Sequence, residues 1–198
     1  MAMQKLTWDE IVTAASELDV EPSALWAVSQ VESRSSGFLK DDRPRILFEG
    51  HVFWRELKKR DINPETHVPG NEDILYPKWT SAFYQSGTGE YWRLERAGAI
   101  HKEAALCSAS WGAFQIMGFN YAACGYQSVD EFVRSMAASS LEQLRATCGF
   151  IRSQKMDNLL RNKDWAGFAK KYNGPGYREN LYDEKLRKAY EESLAQHG

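Results

Sequence analysis

The sequence predicts a mainly α-helical domain with at most a small β element. Helix start signals recur along the chain and are followed by apolar residues at helical spacing, whereas the best strand candidate is one short segment, RILFE at 45–49. With 198 residues, of which 43% are hydrophobic, the chain can bury one ordinary core. Since no repeat, low-complexity tract or linker divides it, we expect residues 1–198 to form a single domain.

The first two helices have strong start signals. Thr7 and Glu10 have the spacing of a capping box, which predicts a helix over 7–18. Pro22 suits the first turn of a second helix, which we expect to end at about Ser33. These two helices should therefore follow each other closely.

Four further helices are expected in the C-terminal half. Capping boxes at Ser128–Glu131 and Ser140–Gln143 and an N-cap at Asp164 predict the starts of three of them. The fourth, the last helix, is expected from about Asn180. The predicted core positions of the last three are Leu141, Leu144, Cys148, Ile151, Trp165, Phe168, Ala169, Tyr172, Tyr182, Leu186, Ala189 and Tyr190. Residues 61–80 are rich in proline and glycine and indicate a long loop, which is either functional or disordered.

Composition and charge argue against several functional classes. A net charge of −2 and a pI near 6.1 disfavour a nucleic-acid binder. Cys107, Cys124 and Cys148 lack C-x-x-C spacing and the histidines lack an H-E-x-x-H pattern, so we expect neither a disulfide framework nor a metal, and no cofactor. MAMQKLTWDE at 1–10 has no apolar core of a signal peptide, and no stretch approaches the length of a membrane span.

The second predicted helix carries a carboxylate on its apolar face. Leu25, Val28 and Glu32 follow the helical period and share one side of the helix. A carboxylate in that position is rare unless it is paired or kept protonated for a task. Two interpretations are open: Glu32 forms an ion pair with Arg34 or Arg43, or it is an acid whose pKa is raised by apolar surroundings.

Three separated segments carry a family resemblance: VESRSSGF at 31–38, SASWGAFQIMGFNY at 108–121 and FAKKYNGPGY at 168–177. Glu-Ser at a helix end, a later Gly-x-x-Gln-Ile-Met and a Tyr-Asn-Gly resemble the lysozyme-like superfamily of goose-type lysozymes and soluble lytic transglycosylases. With PRILFEGHVFWR at 44–55 and YNGPGYRENLYDEKLRKAY at 172–190, the sequence more narrowly resembles the N-acetylmuramidase domain of phage endolysins acting on Gram-negative cell walls. The resemblance implies a lysozyme-like fold with a groove between two lobes.

The resemblance also implies catalytic carboxylates. Cleavage of a glycosidic bond at neutral pH requires a carboxylic acid that is still protonated, which is the role implied for Glu32. Glu49, at the end of the candidate strand, is the second carboxylate, with a catalytic or water-positioning role. Asp41 and Asp42 compete for that role, and alternatively Glu49 caps the next helix or pairs with Arg45.

The candidate substrate-binding residues are Ser110, Gly112, Gln115, Tyr121, Tyr172 and Asn173. The small residues among them would let the backbone approach a sugar, and Gln115 can bond to an acetamido group or a catalytic carboxyl. The resemblance places Tyr172 and Asn173 on the groove floor, against the sugar flanking the scissile bond. Tyr121 and Tyr177 either stack on sugars or are buried with a hydrogen-bonded hydroxyl.

The predicted function is therefore hydrolysis of the β-1,4 bond between N-acetylmuramic acid and N-acetylglucosamine in peptidoglycan. A lytic transglycosylase that forms 1,6-anhydromuramic ends is the first alternative. An inactive wall-binding module is the second, and the intact Glu32 argues against it. We expect a monomer without a separate wall-binding module, stable membrane insertion or nucleic-acid partner. It would be made in the host cytoplasm and reach the periplasmic peptidoglycan through a holin-type exit.

Overall fold

The computed structural model describes residues 6–33 and 37–197, and these residues are mainly helical. They form nine α-helices: α1 Trp8–Leu18, α2 Pro22–Glu32, α3 Gly50–Lys58, α4 Gly89–Cys107, α5 Val129–Ala138, α6 Ser140–Ser153, α7 Asp157–Arg161, α8 Trp165–Asn173 and α9 Tyr182–His197. The three strands are β1 Ile46–Phe48, β2 Ala109–Trp111 and β3 Ile116–Met117. The predicted fold class, helical with a small β element, is confirmed.

Local start signals explain where several helices begin. The capping box of α1 is formed, since Thr7 N donates to Glu10 Oε2 at 2.8 Å and Glu10 N donates to the Thr7 hydroxyl at 3.3 Å. Ser128 caps α5 in a similar way, accepting from Glu131 N at 3.2 Å. Asp164 caps α8 by accepting from Gly167 N at 2.9 Å. Each cap satisfies a backbone donor that the helix itself leaves unpaired.

Two predicted helix starts were displaced. The box expected at Ser140–Gln143 was wrong by one residue, because the hydroxyl of Ser139 accepts from Glu142 N at 3.1 Å. The last helix begins at Tyr182 rather than near Asn180, because Pro175–Asn180 forms a 3₁₀ helix. The shift by one residue releases the side chain of Gln143 for another role.

The long α4 was not predicted from the sequence. Its buried residues include Glu90 and Arg93, so its inner face does not show an apolar stripe. His101 also interrupts the helical geometry, with φ −159° and ψ 105°. A polar inner face and a central break together remove the periodic signal on which sequence reasoning depends.

The small sheet joins two distant parts of the chain. β1 pairs antiparallel with β2, with Leu47 opposite Ser110, and β2 pairs antiparallel with β3, with Ser110 opposite Met117. The predicted strand RILFE is confirmed as β1, whereas β2 and β3 are too short to give a clear period. The end of β1 therefore lies beside the β2–β3 hairpin.

The C-terminal helix α9 belongs to the core. Leu186 is fully buried and Ala189 is buried, as predicted, while Tyr182 and Tyr190 are half-buried. The Tyr190 hydroxyl donates to the Glu21 carboxylate at 3.0 Å, at the start of α2. Within the described part of the chain, no helix is long and apolar enough to cross a membrane.

Candidate active site

Glu32 is buried at the end of α2. Its residue is 7% exposed, and Leu25 and Val28 on the same helix are fully buried, as the helical period predicts. The Asn173 side chain donates from Nδ2 to Glu32 Oε2 at 3.1 Å. Of the alternative partners, Arg43 pairs instead with Asp41, and Arg34 lies outside the described residues.

A cleft of about 370 Å³ opens beside this carboxylate. It is lined by Glu32, Phe114, Gln115, Tyr172, Asn173, Asn180 and Tyr182. Its lining comes from the ends of α2 and α8, the end of the 3₁₀ helix Pro175–Asn180, the start of α9 and the β2–β3 hairpin. Four predicted site residues are thus brought together from three separate segments of the chain.

Asn173 and Tyr172 form one wall of this cleft. Asn173 is the last residue of α8, and Gly174, with φ +85°, turns the chain away immediately afterwards. The buried Oδ1 of Asn173 has no hydrogen-bond partner among the described residues, so a bound ligand with a suitably placed donor would stabilise it. The Tyr172 ring stacks on Phe168, with the ring centroids 5.5 Å apart and the planes at 15°.

Gln115 is fixed at the tip of the hairpin. Its backbone has φ +49°, a conformation that residues other than glycine seldom adopt. Its Nε2 donates to the Gly112 carbonyl at 2.8 Å, and its Oε1 accepts from the Ser110 hydroxyl at 2.8 Å. A left-handed residue held at both ends of its amide is typical of a positioned functional side chain.

Gln143 connects the hairpin to the chain that follows Glu32, and sequence reasoning missed it. Its Oε1 accepts from Ala113 N at 2.8 Å, while its Nε2 donates to the carbonyls of Gly37 at 3.2 Å and Met136 at 2.9 Å. The residue is 1% exposed. Only its polarity within a helix could signal this role, and the predicted capping box at Ser140–Gln143 offers another explanation for that polarity.

Glu49 lies just beyond β1, and its side chain is 14% exposed. Its Oε2 accepts from the Tyr84 hydroxyl at 2.7 Å and lies 3.3 Å from His51 Nδ1. Its backbone N donates to the Ser108 carbonyl at 2.9 Å, which anchors it to the start of β2. Glu49 occupies the N-cap position of α3 without a side-chain capping bond, so the alternative of a capping role was wrong.

The two partners of Glu49 are neutral at neutral pH. Burial lowers the pKa of His51, and the nearby Glu49 carboxylate opposes this effect only in part. Burial, together with the hydrogen bond to Glu49, raises the pKa of Tyr84 far above its ordinary value. Tyr84 therefore remains a hydrogen-bond donor to Glu49 throughout the physiological range.

A buried ion pair of α4 supports the Glu49 region. Arg93 donates from Nη1 to Glu90 Oε2 and to the Phe48 carbonyl, both at 2.9 Å, and Arg93 is fully buried. The Phe48 N–H donates to the same Glu90 oxygen at 2.9 Å. The backbone N–H and carbonyl of Phe48, the residue before Glu49, are thus both hydrogen-bonded to the Glu90–Arg93 ion pair.

The same helix orders the long loop before it. Arg93 Nη2 donates to the Asp73 carbonyl at 2.8 Å, and Arg96 donates to the Asp73 carboxylate at 2.7 Å and to the Gly70 carbonyl at 2.8 Å. The predicted loop at 61–80 is held by these contacts, so the alternative that it is disordered was wrong. Pro64–His67 within it forms a 3₁₀ helix.

Comparison with known proteins identifies the family. The N-acetylmuramidase family model matches residues 21–194. The chain belongs to the N-acetylmuramidase family. The crystal structure of the Burkholderia AP3 phage endolysin is similar, with a TM-score of 0.89 and 41% identity, covering 96% of this chain and 72% of that chain. A search of the curated proteins finds no significant match.

The remaining candidate residues of this N-acetylmuramidase are not among those that line the cleft. Ser110 is buried beneath Gln115, and Gly112, with φ +74°, has no room for a Cβ, which would lie 2.7 Å from the Gln143 side chain. Tyr121 lies against a separate depression with Arg60 and His101. Direct substrate contacts by Ser110, Gly112 and Tyr121 stay predictions. Tyr177 is buried, with its hydroxyl accepting from the neighbouring Arg178 at 3.1 Å.

The competing aspartates of the N-acetylmuramidase have other surroundings. The Arg43 guanidinium, which donates to Asp41 at 2.6 Å, lowers the pKa of that carboxyl, and the Asp41 side chain is 40% exposed. Asp42 has φ +62° in a turn. Neither has the enclosed setting of Glu49. Among the described residues, no group of three or more histidines, cysteines or acidic residues could hold a metal ion.

Proposed function

We propose that this N-acetylmuramidase is a peptidoglycan-degrading endolysin that hydrolyses the β-1,4 bond between N-acetylmuramic acid and N-acetylglucosamine. The observation that carries the proposal is the buried Glu32 carboxyl, which faces a polar cleft and is oriented by Asn173. The similarity to a phage endolysin over 96% of this chain supports the biological role. The same carboxyl is the proposed catalytic group.

Glu32 is the proposed general acid. Burial on the apolar face of α2 disfavours a charged carboxylate, so the group can hold a proton for the leaving oxygen of the glycosidic bond. Because Asn173 donates to Oε2, that oxygen acts as an acceptor and the transferable proton belongs on Oε1. Asn173 therefore orients the acid and selects which of its oxygens delivers the proton.

Glu49 is the proposed general base for the attacking water. Tyr84 and His51 both contact Oε2, and within the part of the chain that the structure describes Oε1 makes no hydrogen bond. A carboxylate with one oxygen anchored and the other available can orient a water and take its proton. This arrangement supports hydrolysis over the transglycosylase reaction, which needs no second carboxylate.

The products of digestion test this function. Purified sacculi incubated with the enzyme should release fragments with reducing N-acetylmuramic ends, identified by borohydride reduction and mass spectrometry. Glu32→Gln should retain the fold and lose at least about 10²-fold in rate, the lower end for general acid catalysis. Glu65→Gln, the same substitution at an exposed position, is the matched control.

Three outcomes would contradict the proposal in different ways. Fragments ending in 1,6-anhydromuramic acid would establish the lytic transglycosylase. Binding to sacculi without any release of fragments would establish a wall-binding module. A well-folded Glu32→Gln with substantial activity would show that another residue is the acid.

The working context is part of the same proposal. The enzyme acts as a monomer on glycan strands of the periplasmic peptidoglycan, without a nucleic-acid partner or stable insertion in the membrane. Synthesis in the host cytoplasm and a holin-type exit would deliver it there. The turbidity of intact host cells that express the enzyme with and without a co-expressed holin would test the route, since lysis should depend on the holin.

A further inference from the structure

Trp79 is the most exposed large hydrophobic residue among those the structure describes. Its residue is 65% exposed, although transfer of an indole out of water is favourable. Single exposed apolar side chains are common and by themselves need no explanation. Trp79 differs because its orientation is fixed.

Two consecutive hydrogen bonds connect Trp79 to Glu49, the proposed base. Its indole Nε1 donates to the Tyr84 hydroxyl at 3.1 Å, and that hydroxyl donates to Glu49 Oε2 at 2.7 Å. The polar edge of the indole thus points towards the proposed base. The apolar ring faces stay exposed at a place that is two hydrogen bonds from Glu49 Oε2.

The segment that carries Trp79 is anchored to the fold on both sides. Ile74 and Leu75 before it are almost completely buried. After it, Ala82 N donates to the Thr80 hydroxyl at 3.1 Å, and Gln85 N donates to the buried Glu90 carboxylate at 2.5 Å. The indole is therefore presented before any ligand arrives, which lowers the entropy that binding would cost.

Trp92 provides an internal comparison. It is 53% exposed, and the Arg96 guanidinium lies over its ring at 4.5 Å from the centroid. Among the described residues, no aromatic ring or cation lies over Trp79. One exposed tryptophan thus has its ring face covered by the protein, and the other has not.

We propose that Trp79 is a sugar-stacking residue that binds a pyranose ring of the glycan strand beside Glu49. The C–H face of a pyranose is apolar and fits an indole face, while its hydroxyl and acetamido groups stay hydrated at the rim. Because its N–H is already bonded to Tyr84, Trp79 recognises the sugar by its ring face alone. The inference rests on the proposed glycan substrate.

The test measures binding of defined oligomers of alternating N-acetylglucosamine and N-acetylmuramic acid. The measurements use a Glu32→Gln background, which prevents turnover. In this background Trp79→Ala should raise the dissociation constant about 2- to 10-fold, the range of an aromatic contact. Trp92→Ala should leave it unchanged. The tryptophan fluorescence change on binding should disappear in Trp79→Ala and persist in Trp92→Ala. Thermal unfolding establishes that each variant is folded.

A second substitution separates stacking from the hydrogen bond. Trp79→Phe retains a ring and loses the indole N–H, so it should bind the oligomers more tightly than Trp79→Ala. Equal losses in the two variants, or unchanged binding in Trp79→Ala, would overturn the inference. A wild-type enzyme that neither binds nor cleaves the oligomers would instead overturn the proposed function, so the two failures are distinguishable.

Discussion

Asn173 donates a hydrogen bond to Glu32 across a sequence separation of 141 residues. The bond joins the last residue of α8 to the last residue of α2, so two helix ends meet at one carboxyl. Neither helix places the carboxyl alone. The geometry of the proposed acid depends on how α2 and α8 pack in the tertiary structure.

Removal of this bond should slow the reaction more than it weakens binding. Asn173→Ala should lower kcat by about 10-fold or more, since a hydrogen bond to a carboxyl contributes about 1.5 kcal/mol or more when the partner can be charged. Steady-state kinetics on glycan oligomers measures the effect. Asn162→Ala, at an exposed asparagine, is the control, and an unchanged kcat in Asn173→Ala would exclude the positioning role.

The stereochemistry of the reaction follows from the role of Glu49. A base that activates water needs room for it, so the carboxyls of Glu32 and Glu49 should lie about 6.5 to 9.5 Å apart, as in inverting glycosidases, rather than about 5 to 5.5 Å. NMR of the first product anomer should therefore show inversion. Glu49→Gln should lower turnover and leave substrate binding largely intact. A glycosyl adduct trapped on Glu49 would contradict this assignment.

Tyr84 should act on the rate through Glu49. Tyr84→Phe removes the 2.7 Å bond to Oε2, so we expect kcat to fall about 10-fold with little change in KM. Tyr126→Phe removes a comparable 2.7 Å bond to Ser135 away from the site and should leave kcat unchanged. A kcat of Tyr84→Phe equal to that of the wild type would show that Tyr84 does not act through Glu49.

The buried charges of α4 should dominate the stability of the Glu49 region. Arg93→Ala leaves Glu90 buried without its cation, and breaking such a pair costs about 3 to 5 kcal/mol of unfolding free energy. Denaturant unfolding measures this loss of unfolding free energy. Lys102→Ala breaks the exposed pair with Asp130 and should cost no more than about 1 kcal/mol. Similar losses in both variants would refute the central role of Arg93.

The last helix should be required for folding. A chain ending at Arg178 loses α9 and exposes the faces that Leu186 and Ala189 cover, so it should show no cooperative unfolding transition. Leu194→Ala on the same helix, at a 39% exposed position, should change stability by less than about 0.5 kcal/mol. A soluble and active truncation would show that α9 is dispensable.

Local signals in the sequence account for much of the fold. The caps at Thr7, Ser128 and Asp164 each bond to a backbone group three residues away, so the chain itself contains the information. The same is true of Glu32, whose place on the apolar face follows from the helical period alone. The sequence thus determined the starts of α1, α2, α5 and α8 and the candidate acid.

Only the tertiary structure decided how the site is supported. Tyr84 reaches Glu49 from a separate loop, Glu90 and Arg93 of α4 hold the end of β1, and Gln143 of α6 joins the hairpin to Gly37. A buried polar residue does not contribute to an apolar period, and its partner lies far along the chain. No local sequence pattern therefore predicts the contact between them. Its contribution exists only after packing has removed water and brought both partners together.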